Sequence, residues 1–410
     1  VIAILSIILA ALVAGSLVYC VLTILAARSF LRVERPRLGR SCQPVSILKP
    51  LYGSDDGLAE NLRSFFRQDY PKFEILMSVR SEADPEAIVA RRVMREFPDV
   101  ASRLVVTGES PRPNGKVYSL QHMMRHARYD ILIMADSDIR VTPEMTAVIA
   151  AEMLDPDVSL VTCPYRAVPG GTLWSRLEAV GMNTEFLGGV LVARWIEGMQ
   201  FALGCTLAVR RSALESIGGL AALQNYLAED FMLGRLIARQ GGKVLLSSYV
   251  IDHRIGSQNF GVNLRHRLRW ARSTRRSRPL GYVGQLFTNP LPLVLMLIAC
   301  DPRWWPLAAL TITFRALAAW VVAIRVLDDP LTAAHAYLVP LQDLASFFTW
   351  LWGFFGNTIE WRGRRHTILA NGMFETEVSD EIQIGRVAAA APGRGSGRRT
   401  REAGTAASRG

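Results

Sequence analysis

Cysteine is scarce in this sequence: Cys20, Cys42, Cys163, Cys205 and Cys300 are an odd number, scattered, with no CxxC pair among them. Neither a disulfide framework nor a zinc site is indicated, and free thiols suit a domain in the reducing cytosol. No internal repeat is present. The first apolar run has no basic stretch in front of it and no small-residue cleavage site, so it reads as an uncleaved anchor rather than a signal peptide. The chain also lacks an interleaved aromatic and basic face, although its formal net charge is +11 over 410 residues. Nucleic acid is therefore not an expected partner.

What the sequence does have is apolar length. Half of its residues are hydrophobic, which makes a purely soluble protein a poor expectation. Residues 2–27 are almost uninterruptedly apolar, long enough to cross a hydrocarbon core of roughly 30 Å, and 1–28 is assigned as an amino-terminal transmembrane anchor. Residues 45–282 change pattern. Short apolar runs at 45–51, 73–79, 104–107, 131–135, 159–163 and 243–246 read as strands, alternating with amphipathic stretches at 57–66, 85–96, 117–126 and 143–153 that read as helices. That alternation predicts an α/β domain with a mostly parallel sheet covered on both faces.

Residues 283–357 return to lipid in three apolar runs, 285–300, 304–327 and 334–355. Basic residues mark the borders: Arg28, Arg32, Arg35, Arg37 and Arg40 after the anchor, a dense arginine group from Arg265 to Arg278, and Arg362, Arg364 and Arg365 at the end. The positive-inside rule then places the α/β domain in the cytosol. Three further crossings would put the basic tail outside. Asn289-Pro290-Leu291-Pro292 breaks the first run, so that run is expected to be re-entrant or interfacial, and the other two a spanning hairpin with Asp328-Asp329-Pro330 as its outer turn. Residues 387–410 are Ala/Gly/Arg-rich and are expected to be disordered.

Four short motifs carry the chemistry. Asp136-Ser137-Asp138 follows the apolar strand at 131–135, where two carboxylates can converge on one hard divalent cation, or on that cation and a ribose hydroxyl. Asn114-Gly115-Lys116 lies one helix upstream, where an ammonium can reach a phosphate at the carboxyl edge of the sheet. Ala228-Glu229-Asp230-Phe231 precedes an amphipathic run; Asp230 suits a general base there, or equally an acid in the first turn of a helix. His266-Arg267-Leu268-Arg269-Trp270 ends the series: Arg269 can clamp diphosphate oxygens bidentately and Trp270 can wall a sugar pocket. For Arg272, Arg275, Arg276 and Arg278 a plain juxtamembrane anchor is the expectation.

The order of these motifs resembles the family-2 type glycosyltransferases of GT-A fold, and within them the ceramide glucosyltransferases. Leu48-Lys49-Pro50-Leu51, Gln68-Asp69-Tyr70-Pro71, Asp84-Pro85 and the terminal Trp361-Arg362-Gly363-Arg364-Arg365 extend the likeness. The resemblance implies that Asp136 and Asp138 hold nucleotide and a divalent metal (Mg2+ or Mn2+), that Asp230 is the catalytic base, and that Arg269 and Trp270 belong to a (Q/R)xxRW element. The sequence departs from the pattern twice. The first acidic position falls near Ser81, leaving Glu82 or Asp84 to replace it, and His266 stands where the (Q/R)xxRW element begins. The expected reaction is inverting transfer from a UDP-sugar, glucose first, to a membrane lipid alcohol, ceramide first, with UDP-N-acetylglucosamine and a hopanoid as runner-up. A basic membrane-associated binding or scaffold protein is the non-enzyme alternative.

Overall fold

The computed structural model describes residues 1–36, 43–53, 57–361 and 364–376. The expectations for Arg37, Arg40, Cys42, Arg362 and the tail 387–410 lie outside the described residues.

Thirteen strands are described: β1 Val45–Pro50, β2 Phe73–Val79, β3 Ser102–Val106, β4 Ile131–Ala135, β5 Ile139–Arg140, β6 Val158–Thr162, β7 Tyr165–Pro169, β8 Thr206–Arg210, β9 Lys243–Leu246, β10 Ile251–Gly256, β11 Thr358–Trp361, β12 Arg364–Ile368 and β13 Phe374–Thr376. Seven form one sheet in the order β3-β2-β1-β4-β8-β6-β9. Every residue of β1 and β4 is buried. A central strand covered by helices on both faces needs a continuous apolar run rather than an alternating one, which is what these two segments have. The pairing is parallel except where β8 runs antiparallel between β4 and β6. The sheet is thus mostly parallel, as the sequence pattern predicts, and each expected strand and helix is present within a few residues of its expected bounds.

A second sheet, β5-β10-β7, positions the site. β5 begins one residue after Asp138 and pairs antiparallel with β10, setting His253 opposite Ile139. β10 runs parallel to β7. The third sheet, β11-β12-β13, carries Trp361, Arg364 and Arg365, and returns to the α/β domain through a bridge between Met373 and Tyr226 and a bond from Phe374 N–H to Asn225 O (2.9 Å).

Among the described residues two helices are long and apolar enough to cross a membrane: Ile2–Leu31, 30 residues, and Pro302–Val326, 25 residues. They pack side by side and run in the same direction, both toward the α/β domain. Leu9, Ala10 and Val13 of the first meet Ala308 of the second, Cys20 and Ile24 meet Ala318, and Ala26, Ala27 and Phe30 join Val321, Val322 and Val326 in the core of the α/β domain. The run expected to be re-entrant or interfacial forms a pair of helices, Pro279–Phe287 and Pro290–Cys300, bent by 52°. Pro290 and Pro292 lack the N–H that would continue the helix, which accounts for the break. Leu293, Val294 and Leu297 lie against Leu9 and Val13, so this pair leads away from the domain and Pro302–Val326 leads back.

The membrane hairpin therefore differs from the expected one. Its far turn is at Asp301-Pro302-Arg303, where Arg303 and Asp301 form an exposed ion pair. Asp328-Asp329-Pro330 is not an outer turn, because it is seated on the α/β domain. Asp328 has a left-handed backbone (φ 51°) and its carbonyl accepts from Arg166 Nη1 of β7 (2.6 Å). Asp329 is 1% exposed and accepts from Leu331 N–H, Thr332 N–H and Asn183 Nδ2 (2.7 Å). The run at 334–355 yields the helix Val339–Gly353, 15 residues. At 1.5 Å per residue it is about 22 Å long, short of a hydrocarbon core of roughly 30 Å. Leu341, Phe348, Trp352 and Phe355 leave it exposed on one side, while Gln342 and Asp343 are buried on the other.

This geometry predicts that single cysteines at Arg303 and Asp130, both exposed, are modified from opposite faces of sealed vesicles by an impermeant thiol reagent. Modification of both from one face would overturn the hairpin assignment.

Candidate active site

The acidic pair emerges where β4 ends. Asp136 N–H donates to Cys205 O (3.1 Å) beside β8, and its carbonyl accepts from Lys49 Nζ (2.7 Å). Lys49 is fully buried, with its ammonium 3.7 Å from the Phe65 ring centroid. A lysine in a strand buried on both faces is rare unless its charge is met, and here a carbonyl and an aromatic face meet it.

Lys116 enters from the helix Gly115–Met124. Asn114 caps that helix, accepting from the N–H groups of Lys116 and Val117 (3.0 and 3.1 Å). The same side chain donates to Tyr226 O (2.8 Å) and Glu229 Oε2 (3.3 Å), which fixes the helix start against the loop before Glu229. Lys116 Nζ then lies 2.6 Å from Asp136 Oδ1, 3.0 Å from Glu229 Oε1 and 3.3 Å from Gly204 O. Asp230, in the first turn of the helix Glu229–Arg239, closes the cluster from the other side. A methyl group on Gly204 would lie 2.7 Å from Asp230 Oδ2, so only glycine admits that carboxyl here.

The charges set one another. Burial acts to lower the Lys116 ammonium, but Asp136, Glu229 and Asp230 outweigh it and hold the group firmly protonated. Burial raises Asp136 above the usual carboxylate range, against the pull of Lys116. Burial, then repulsion from Glu229, pushes Asp230 up to about 7. Asp138 goes the other way: burial opposes ionisation, but the His253 ring beside it prevails and its carboxyl lies below the usual range.

Asp138 Oδ2 is 3.0 Å from His253 Nε2, while its Oδ1 is buried without a hydrogen-bond partner. An orphaned carboxylate oxygen beside a fixed one is suited to a hard cation. Among the described residues no group of three or more acidic, histidine or cysteine side chains is placed to hold a metal ion by itself. A cation here would accordingly draw the rest of its shell from water and from substrate oxygens, which is the habit of Mg2+ bound through one or two carboxylates.

An aromatic series connects this pair to the membrane-proximal helix. The His253 ring is edge-on to Tyr165 (5.6 Å between centroids), Tyr165 stacks on Phe186 (5.2 Å), and Phe186 packs on Trp270 (5.6 Å). Phe186 ends a π-helical turn, Met182–Phe186, that interrupts a longer helix. The extra residue turns Asn183 toward β7, where it bonds both the N–H and the carbonyl of Ala167.

The sequence-derived residues fall into two groups. Lys116, Asp136 and Asp230 meet in one cluster, and Asp138 and Trp270 are joined through the rings. Arg269 and His266 share the helix Phe260–Ser277 with Trp270; His266 Nδ1 is engaged with Glu178 Oε1 (2.5 Å). Asp84 is turned to its own loop, accepting from Arg80 N–H and Ser81 N–H (3.1 and 3.0 Å), and no described contact joins it to the Lys116 cluster. The arginines expected as a membrane anchor have another role. Arg272, Arg275 and Arg276 donate to Phe354 O, Phe355 O, Gly356 O, Thr358 O and the Asn357 side chain, so they cap the carboxyl end of Val339–Gly353. Arg278 pairs with Glu197 (2.7 Å). Sequence reasoning did not single out Lys49, His253, Glu178 or Gly204. The available signals were a lysine inside an apolar strand and one of only six histidines.

A mostly parallel sheet with a paired carboxylate at a strand's carboxyl end and a lysine beside it is the arrangement of the GT-A fold. A solved mannosyltransferase from Pyrobaculum calidifontis, in complex with GDP-Man and Mn2+, has the same fold: TM-score 0.53 over 85% of this chain and 99% of its own, at 20% identity. Residues 7–374 match the model of glycosyl transferase family 21, and the chain belongs to that family. Ceramide glucosyltransferases 1 and 3 of Caenorhabditis elegans are each 29% identical, over 50% and 56% of this chain and 44% and 50% of their own lengths. An N-acetylglucosaminyltransferase of Rhizobium leguminosarum bv. viciae is 25% identical over 57% of this chain and 56% of its own. The chain spans about half the length of the curated relatives it matches.

Lys116→Met leaves Asp136, Glu229 and Asp230 facing one another without a cation. We expect a loss of about 3 kcal/mol at pH 8, the typical cost of breaking a buried pair. The loss shrinks as pH falls and the carboxylates take up protons, so denaturant melts at pH 8 and pH 5 should differ most at pH 8. An equal loss at both would remove the electrostatic reading.

Proposed function

We propose that this chain transfers a hexose from a nucleotide diphosphate sugar to the hydroxyl of a membrane lipid, with UDP-glucose and ceramide as the first pair. The single observation that carries the reading is the Asp230 carboxyl, held up to about 7 beside the Lys116–Asp136 ion pair at the carboxyl edge of the sheet. A carboxyl tuned near neutrality is suited to take a proton from an alcohol at physiological pH. Membership of glycosyl transferase family 21 and the ceramide glucosyltransferase relatives support the substrates. The second reading, UDP-N-acetylglucosamine with a hopanoid, is favoured by the Rhizobium relative.

The transfer is a direct displacement. Asp230 accepts the proton of the lipid hydroxyl as its oxygen bonds to the anomeric carbon from the face opposite the diphosphate. The bond from that carbon to the diphosphate oxygen breaks, and UDP departs with the electron pair, so the anomeric configuration inverts. Lys116 and Arg269 supply positive charge toward the departing diphosphate, and Trp270 walls the sugar. Asp136 and Asp138 would hold a divalent cation, Mg2+ or Mn2+, which when bound neutralises diphosphate charge. His253 keeps the Asp138 carboxylate turned so that Oδ1 stays available. Asp84, on its own loop, and His266, on the helix Phe260–Ser277, remain candidates for nucleotide contact. The α/β domain faces the cytosol on this reading, because Arg28, Arg32, Arg364 and Arg365 lie on its side of the membrane helices.

Asp230→Asn keeps the side-chain shape but cannot accept a proton at neutral pH. It should bind UDP-glucose normally and slow lipid glucosylation by roughly 10²–10⁴-fold. In the parent, kcat/KM should rise about tenfold per pH unit below 7 and level off above it, since only the ionised carboxyl acts. Near-normal turnover by the variant, or a flat profile between pH 5.5 and 8, would remove Asp230 as the base. Separately, Asp138→Ala should retain the fold yet lose the metal stimulation of UDP binding, measured by calorimetry with and without Mn2+. Unchanged stimulation would sink the metal assignment.

A further inference from the structure

A transferase acting on a membrane lipid needs a way for the lipid's hydroxyl to reach the base without drawing its hydrocarbon through water. The residues between Asp230 and the membrane helices supply one. Phe231, next to Asp230, stacks on Phe201 (centroids 5.9 Å apart, rings 27° from parallel). The fit is close, because Gly234 on the same helix has no room for even a methyl group: one would lie 2.4 Å from the Ala202 backbone nitrogen. Phe201 is buried, and the Arg278 guanidinium lies over it at 5.9 Å while pairing with Glu197 at 2.7 Å. That ion pair joins the end of the helix Leu187–Glu197 to the start of Pro279–Gly284.

Outside the ion pair both elements turn large apolar side chains outward. Ile196 is 60% exposed, Leu280 87% and Val283 54%. They stand beside the apolar helices. Arg194, two residues before Ile196, lies over Phe30 near the domain end of the first spanning helix (5.5 Å), and Pro279–Gly284 opens the bent apolar pair that continues into Pro290–Cys300. The exposed patch therefore adjoins the bent apolar pair, and its inner end is the residue beside Asp230.

We infer that Ile196, Leu280 and Val283 form the portal through which the acceptor's hydrocarbon chains slide in from the bilayer, with the Phe201–Phe231 stack as its apolar floor and the Arg278–Glu197 pair as its polar rim. This rests on the reading of the chain as a lipid glycosyltransferase. A lipid with one hydroxyl at the head of long chains fits the gradation: chains against Leu280 and Ile196, head group past the ion pair, hydroxyl at Asp230. A water-soluble acceptor has no use for it.

The test uses the full chain reconstituted in phosphatidylcholine vesicles containing ceramide, with UDP-glucose as donor. Leu280→Cys supplies the labelling site, and its own rate before alkylation is the reference. Alkylation with pyrene maleimide should then cut glucosylation at least tenfold, while UDP affinity stays within twofold and the parent treated identically keeps its rate. Leu280→Asp, unalkylated, should raise the KM for ceramide at least tenfold with the KM for UDP-glucose unchanged. Full transfer after complete labelling, or a parent-like ceramide KM in Leu280→Asp, overturns the portal. Loss of UDP binding together with transfer also overturns it, since the residue would then support the fold. A parent that transfers no glucose to ceramide, yet binds UDP-glucose, instead sinks the substrate pair proposed above.

Discussion

Lys116 holds together elements that would otherwise repel. Three carboxylates from two distant parts of the chain, Asp136 after β4 and Glu229 and Asp230 at a helix start, come together around one ammonium. The Asn114 cap fixes where that ammonium stands, and the same amide ties it to Glu229. Because the cluster is largely withdrawn from solvent, its charges act at a low effective dielectric, where pairing is strong and an unpaired charge is costly. The arrangement sorts the carboxyls by environment: Asp136, paired with Lys116, is raised by burial, Asp138 is held low by His253, and Asp230 is pushed up to about 7. On the proposed reading, that sorting separates a leaving-group side from an acceptor side.

A second framework binds the α/β domain to the membrane helices through polar groups instead of apolar packing alone. Asn183 and Glu185 sit in the same π-helical turn and face different partners. Asn183 bonds β7 and Asp329, while Glu185 accepts from Thr288, Asn289 and Ser346. From Ser346 the bonds continue through Gln342 and Arg267 to Asn263, Glu178 and His266. Polar groups buried this far from water are costly unless each is met, so the chain of bonds restricts how the domain can sit on the helices. Trp270 inherits its position from that restriction, because it shares a helix with His266 and Arg267.

Local signals made much of this legible. The strands at 73–79 and 131–135 were plain because buried parallel strands are continuous apolar runs, and Asp136, Lys116 and Asp230 stand beside such runs. β8 was not anticipated: five residues following a loop have neither length nor period to mark them. His253 was missed because its partnership with Asp138 depends on the pairing of β5 with β10, across more than a hundred residues. The arginines at 272–276 misled because sequence displays charge but not the turn after Val339–Gly353 whose carbonyls claim it. The same holds for Asp328-Asp329-Pro330, whose charge suggested water on the far side of a membrane. Asp329 is in fact buried against an asparagine that only the π-helical turn could aim at it.

The bridge between Met373 and Tyr226 has a bearing on biogenesis. Tyr226 and Asn225 lie just before Glu229, and Asn114 reaches the same stretch, so the loop leading into the helix that carries Asp230 is clamped by a segment almost 150 positions downstream. A growing polypeptide can complete its large sheet well before that segment has been synthesised. The contacts from Met373 and Phe374 can form only once the apolar helices and β11–β13 have been made, so the stretch before Glu229 is the last part of the domain to gain its partners.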